Sequence, residues 1–496
     1  MRAKAVLFWL AAFLLILLPF LGQAARTPPG SLPLGQLAGG QDYATYLAKI
    51  ELGRQGAWVY RDVFTPEKTE PVPIYWFYLA LGHLGRLTGL SSLWLFHLAR
   101  AFFGASALLS VWLLARREDP GSALWGAVAG CLGMSWLIAV LPRMVLPLGH
   151  VLGGLLAFPH YMADLLGWCG LLYAWEMRGW KRLVLVLVSA NLLCIHPFLL
   201  LPACLLPVFR SLWAGGRAGP SLRHSALVAA CGLPQALWVA VSFSRAPWTA
   251  EWRDQAVRVG ANVAVLPVAF GLIFWLAAWR LLGRCREDGI WAGWLFSCWV
   301  SAVVCRAAGF PRNWWEMLFE VSLPLGVLAA RELGRFRRPA GVLVLSAACL
   351  LGFLVWGSGL LGLSEPAFLP GPSVETFSVL AHEAKGEAAL VLPVEAGNLV
   401  PYLTGCSVRP YLGHSSETLR FREKVEAVRA FLRGGPLPEG VRWVLEVDVP
   451  DVLCRKYWPE VSRELASRPD LKLAWSGEGG RLWRVAESEG KEETVR

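Results

Sequence analysis

Eleven apolar runs leave this 496-residue chain few ways to fold. They lie near 5–22, 91–114, 122–141, 161–177, 183–194, 198–209, 225–243, 259–279, 290–308, 315–330 and 340–361. A helix needs roughly 17–25 mostly apolar residues to cross a bilayer core. With 55% hydrophobic residues and 26 tryptophans, the chain exceeds the apolar share of about 45–50% usual in soluble domains. The sequence therefore predicts a polytopic α-helical membrane protein with about 11 transmembrane helices. Its net charge of +11 is scattered in small clusters between the runs. That pattern suits membrane loops and argues against nucleic acid as a partner.

The basic clusters recur at alternate connections: "ARRED" at 115–119, "RGWKR" at 178–182, "FRSLWAGGR" at 209–217, "RLLGRCRED" at 280–288 and "RELGRFRR" at 331–338. The positive-inside rule places them, with the N-terminus, in the cytoplasm and the C-terminus outside. The first run follows Arg2 and Lys4 and is longer than a signal-peptide core of about 7–15 residues, so it reads as an uncleaved anchor. The alternative is cleavage at "GQAA", 22–25. The stretch 74–89 carries His83 and Arg86 and reads as a helix lying in the outer interface. The short runs 183–194 and 198–209 are broken at His196–Phe198 and read as a hairpin packed against protein.

This topology puts residues 24–90 outside as a first outer loop. There "DYATYLAKIELGRQG" reads as an amphipathic helix with Asp42 as N-cap and Gly56 at its end. Residues 1–365 thus form a transmembrane domain, and the composition becomes that of a soluble domain from 366 to 496. In that segment "ETFSVLAHEA" and "FREKVEAVRAFLRGG" read as helices, as does "DVLCRKYWPEVSRELASRP". "AALVLPV" and "VRWVLEV" read as strands, and "LKLAWSGEGGRLWRV" as a hairpin. An extracytoplasmic α/β domain is expected. The eleven cysteines include no CxxC; only Cys406 and Cys454 fall in this polar region, where a disulfide between them is open. No GxSxG, HExxH, P-loop or internal repeat occurs.

Three stretches carry a family resemblance: residues 42–84, an acid and short helix before an aromatic "YW" helix; 87–117, ending in "ARR"; and "EAGNLVPYLTGCSVRPYLGHSSETLRFREKVEAVRAFL" at 395–432. With the order of the parts, they make the chain resemble the GT-C integral membrane glycosyltransferases. More narrowly, it is similar to the bacterial branch of the protein O-mannosyltransferase and aminoarabinose transferase superfamily. The resemblance implies transfer of a sugar from a polyprenyl-phosphate donor to a glycan, lipid or protein acceptor. The reaction would run at the outer face of a bacterial plasma (inner) membrane, usually with inversion. It also implies that Asp42 acts as base. Many members have two adjacent acids, whereas Asp42 precedes Tyr43, and no acid lies between Leu141 and His160. Because a hard divalent cation wants several oxygen ligands, no cofactor is expected and any metal dependence is weak. Glu67 and Glu70 are the secondary acids.

Cations must hold the donor phosphate as it leaves. Lys49, seven residues after Asp42 on the same helical face, and Lys68, before the Pro-aromatic helix, are two candidates. His160 is a third, with Asp164 four residues on as its potential structural partner. His196, at a helix break, and Arg312, in "FPRNWWE", complete the set. Two other readings stay open: a transporter or flippase of lipid-linked sugars, which needs no base, and a non-catalytic envelope assembly protein of the same fold.

Overall fold

The computed structural model describes residues 2–35, 40–132, 158–246, 248–250, 270–309, 314–334, 368–450 and 465–486, with the isolated positions 267, 344, 349, 350 and 354. The chain forms two compact units. The first takes in residues 1–22, 96–245 and 253–364; the second takes in 23–95, 246–252 and 365–496.

Among the described residues, five helices are long and apolar enough to cross a membrane: Ala3–Arg26, Ser92–Glu118, Pro197–Ala214, Ala218–Arg245 and Gly289–Ala308. Large apolar side chains such as Leu7, Leu14, Leu237, Trp275 and Leu282 stand exposed on the first unit. Exposure on this scale is favourable against lipid and not against water. The protein is a polytopic helical membrane protein. The run at 161–177 falls in the helix Pro159–Glu176, and that at 183–194 in Gly179–Leu193. That at 315–330 divides into a 3-10 helix, Trp314–Val321, and an α-helix, Ser322–Leu333. The runs at 122–141 and 259–279 are described only in part, and that at 340–361 almost wholly lies outside the described residues.

Helix packing in this unit uses glycine where backbones meet. A Cβ on Gly326 would lie 2.2 Å from Gly130 N, and one on Gly126 2.9 Å from Val327 Cα. The Gly126/Gly130 spacing is the small-xxx-small pattern that lets membrane helices approach closely. The break between Gly179–Leu193 and Leu200–Ala214 falls at Pro197, which lacks the N–H that would continue the helix.

Charges at helix ends of this unit form one paired network. Asp288, fully buried, accepts from Arg280 Nε at 2.5 Å and Nη2 at 3.3 Å, and sits 2.5 Å from Arg331 Nη1. Arg331 also meets Glu118 at 2.5 Å, Trp291 Nε1 donates to Glu118 at 2.6 Å, and Arg280 reaches Glu332 at 3.4 Å. Part of the basic clusters at 280–288 and 331–338 thus ties helix ends together. Asp288→Ala removes the carboxylate that Arg280 and Arg331 share, leaving them Glu332 at 3.4 Å and Glu118 at 2.5 Å, and is expected to cost about 1–3 kcal/mol. Thermal unfolding in detergent checks this against Glu287→Gln, whose half-exposed carboxylate should matter little.

In the second unit a five-stranded sheet runs in the order Arg409–Pro410, Ala388–Leu392, Trp443–Val447, Gly480–Val485, Leu471–Gly477. The first three strands are parallel and the rest antiparallel. Val391, Leu445 and Leu482 face one core with Phe377 and Leu380 of the helix Gly371–Glu383. Leu390, Val444 and Trp483 face another with Val428 and Phe431 of the helix Phe421–Leu432. Burial on both faces explains why "AALVL" reads as an unbroken apolar run. Most of the helix predicted at 451–469 lies outside the described residues.

Leu34 and Ala44 join the first of these cores, and Leu32–Pro33 pairs antiparallel with Phe368–Leu369. The expected first outer loop and the C-terminal segment therefore share one hydrophobic interior.

Candidate active site

Residues 40–54 form a helix that glycines let lie directly on its neighbour, Trp76–Thr88. A Cβ at Gly53 would stand 2.2 Å from Leu79 O, and one at Gly82 2.1 Å from Ile50 O. The helix ends before Gly56, whose φ of +102° suits glycine. It begins at Gly40, so Asp42 lies inside the first turn and not at the N-cap. There the carboxylate faces the positive end of the helix dipole.

Asp42 Oδ1 accepts a hydrogen bond from His414 Nε2 at 2.9 Å. His414 is buried, while the Asp42 side chain is 53% exposed, so one carboxylate face is held and the other open. On the far side of the imidazole, the Ser416 hydroxyl and backbone N–H lie 2.7 and 3.4 Å from Nδ1. A backbone N–H can only donate, so while His414 is neutral Nδ1 is the acceptor and Nε2 carries the proton toward Asp42; once protonated, the ring adds its charge. Desolvation works to raise the Asp42 pKa. The hydrogen bond and charge of His414 and the charge of Lys49 outweigh it, and the carboxyl is held below its ordinary value.

Two turns along the helix, Lys49 is wholly buried and bonds Glu417 at 2.6 Å. Its ammonium also reaches Thr45 Oγ1 at 3.2 Å and lies 3.6 Å from the centre of the Tyr75 ring. Tyr75 donates to Glu417 at 3.1 Å, and Tyr60 donates to the other carboxylate oxygen. Glu417 feels burial first, but Lys49 and these donors leave its pKa below 4.5. The structure thus gives Lys49, expected at a donor phosphate, an internal carboxylate as partner.

Asp62 completes the cluster with the opposite shift. Burial, and then the charge of Glu417, push its carboxyl well above 3.8, and its Oδ2 has no partner among the described residues. Its Oδ1 accepts from Phe64 N at 2.7 Å and lies 3.4 Å from Tyr60 OH.

Glu67 is held by Lys424 at 2.7 Å and Arg420 at 3.2 Å. Lys68 and Glu70 are exposed, and the Glu70 carbonyl accepts from Trp248 Nε1 at 3.3 Å. A cavity of about 850 Å³ is lined by Glu67, Arg409, Tyr411, Lys424 and other residues but not by Asp42 or His414. Several of its charges already neutralise one another, so the open Asp42 carboxylate is the better candidate for chemistry.

His160 and His196 belong to the first unit, with ring centroids 5.1 Å apart. Asp164, expected opposite His160, bonds His196 Nδ1 at 2.6 Å, because the helix break turns His196 back onto the helix Pro159–Glu176. Arg312 lies outside the described residues. Cys406 is free, its Sγ 3.6 Å from Ala48 O, and Cys454 also lies outside the described residues.

Sequence reasoning missed His414 and Glu417. Both sit in "GHSSET", inside a stretch singled out only for its resemblance, and nothing local marks a histidine and an acid there as partners of residues about 370 positions earlier.

Asp62 yields a stability test. Above the unfolded pKa an unfolded Asp62 ionises freely while the folded one resists, so this group weakens folding as pH rises. Asp62→Asn keeps the acceptor for Phe64 N–H and is expected to stabilise the protein by roughly 1–3 kcal/mol at pH 8, with little gain at pH 4. Melting temperatures at the two pH values decide it.

No family model matches the sequence, and no curated protein matches it. Among solved structures, the arabinofuranosyltransferase AftD from Mycobacteria aligns with 99% of this chain at 15% identity and a TM-score of 0.52, covering 40% of its own length. A mutant form of AftD gives 98%, 16%, 0.53 and 42%. The chain thus spans about two fifths of the length of these structures, and at this identity the likeness is one of fold.

Proposed function

Starting from this likeness of fold and the GT-C resemblance, we propose that this protein is a membrane glycosyltransferase that moves a sugar from a polyprenyl-phosphate donor to an acceptor hydroxyl at the outer face of the membrane. The observation that carries the reading is the Asp42 carboxylate, half exposed and held 2.9 Å from His414 Nε2. The free carboxylate oxygen takes the acceptor proton as the hydroxyl oxygen attacks the anomeric carbon. The bond from that carbon to the phosphate oxygen breaks in the same displacement, and the lipid phosphate leaves with the electron pair. A single displacement of this kind inverts the anomeric centre. Asp42 then loses its proton to water.

His414 is a positioning residue in this scheme: it fixes one carboxylate oxygen and keeps the base ionised. Lys49 and Glu417 position the helix that carries Asp42. Lys68, in the same unit as Asp42, is our candidate for the donor phosphate, and no step here requires a metal.

The test is transfer of radiolabelled sugar from a panel of polyprenyl-phosphate sugars by the purified protein in membrane extracts that supply acceptors. Asp42→Asn is expected to lower kcat about 100-fold or more while leaving donor binding unchanged. Full transfer by the variant overturns Asp42 as base, and equal donor binding without transfer by either protein favours a transporter. Because Asp42 is held below 3.8, the acid limb of kcat should lie below that pH. His414→Ala removes what holds it there, so the limb should move upward and kcat fall with KM little changed.

A further inference from the structure

At one end of the first unit four helix termini each supply a side chain to one cluster: the end of Pro159–Glu176, the start of Gly179–Leu193, the end of Leu200–Ala214 and the start of Ala218–Arg245. Trp175 meets His224 edge-on with ring centroids 5.1 Å apart, and the Arg210 guanidinium lies 5.0 Å from the Trp175 ring. Arg182 Nη2 donates to His224 Nδ1 at 2.8 Å. As the acceptor of that bond, His224 is the neutral imidazole, so Arg182 gains a hydrogen bond but no opposing charge.

This sets the two arginines apart from Arg280 and Arg331, whose charges Asp288, Glu332 and Glu118 meet. Among the described residues neither Arg182 nor Arg210 has a carboxylate within ion-pair distance. Glu176, at the end of the same helix as Trp175, is bonded to Arg117 at 2.6 Å.

Three nitrogens of the cluster, Arg182 Nε, Arg210 Nη1 and Trp213 Nε1, are buried without an acceptor among the described residues. Trp213 lies one turn beyond Arg210 on the same helix. Buried donors left unmatched are costly, and two guanidinium groups without an ion pair, Arg210 sensing Glu176 and Glu118 only at longer range, suit an anion with several oxygens. Phosphate meets both needs, since its oxygens match the guanidinium fork. The surroundings choose the source. Trp180, Leu212 and Leu222 are 71%, 68% and 58% exposed, each two residues from a member of the cluster. Apolar side chains at that level suit acyl chains, and tryptophan suits the headgroup layer.

We infer that Arg182 and Arg210 bind the phosphate of an anionic phospholipid at the end of the membrane unit that bears the basic clusters. None of these residues belongs to the unit that contains Asp42, and the inference does not depend on the transfer reaction.

The test is native mass spectrometry of the full chain in an uncharged detergent, titrated with phosphatidylglycerol, phosphatidylcholine or inorganic phosphate. Phosphatidylglycerol should bind at least tenfold more tightly than phosphatidylcholine. The double variant Arg182→Gln/Arg210→Gln should lose about tenfold or more of that affinity, while Arg178→Gln/Lys181→Gln, at exposed positions of the same loop, should keep it. Should the glutamine variant fail to fold, Arg182→Lys/Arg210→Lys keeps the charge but not the fork and should still weaken binding several-fold. Equal binding by wild type and either Arg182/Arg210 double variant overturns the site. Displacement of the lipid by inorganic phosphate overturns the lipid as its source and assigns it to free phosphate.

Discussion

The bond between Lys49 and Glu417 is the constraint on which the second unit depends. A lysine and a glutamate with almost no solvent contact are each prohibitively unfavourable alone, and together they require close approach and further hydrogen bonds. The 2.6 Å contact, with Tyr60 and Tyr75 donating to the same carboxylate, supplies both. It joins residues 368 positions apart. Because Asp42 lies seven residues before Lys49 and His414 three before Glu417, the same contact brings the Asp42 carboxylate and the imidazole to 2.9 Å.

The cluster also separates its acids by environment. Glu417 is ionised beside Lys49, Asp62 resists ionisation beside Glu417, and Asp42 is ionised at the edge, where a hydroxyl can reach it. Carboxyls pushed apart in this way take different roles. Tyr75 shows what the arrangement demands of the backbone: its φ of +58° is a left-handed conformation unusual for an aromatic residue, and its ring and hydroxyl are held by Lys49 and Glu417.

In the membrane unit, arginine has two fates. Arg280 and Arg331 are neutralised by buried acids and tie helix ends, while Arg182 and Arg210 converge on aromatic rings with donors still open. The positive-inside rule counts all four alike because it reads charge along the chain. Their partners follow from which helix ends meet.

Much of the framework was legible in the sequence. Apolar runs mark helices because a bilayer tolerates little else, and "AALVL", "FREKVEAVRAFL" and "GEGG" mark a buried strand, an amphipathic helix and a hairpin turn by periodicity and turn chemistry. Asp42 stood out as the acid heading the first helix. Lys49 and Asp164 were legible as polar residues in need of partners, yet the partners first considered, a phosphate and His160, differ from Glu417 and His196. A local pattern records that a charge is buried, not what meets it. The sequence by itself determined the helices, the strands and the acid at the head of the site. Only the tertiary structure decided that residues 23–95 share a core with 365–496 and that His414 holds Asp42, because long-range pairing depends on which surfaces exclude water together and leaves no periodic trace in the chain.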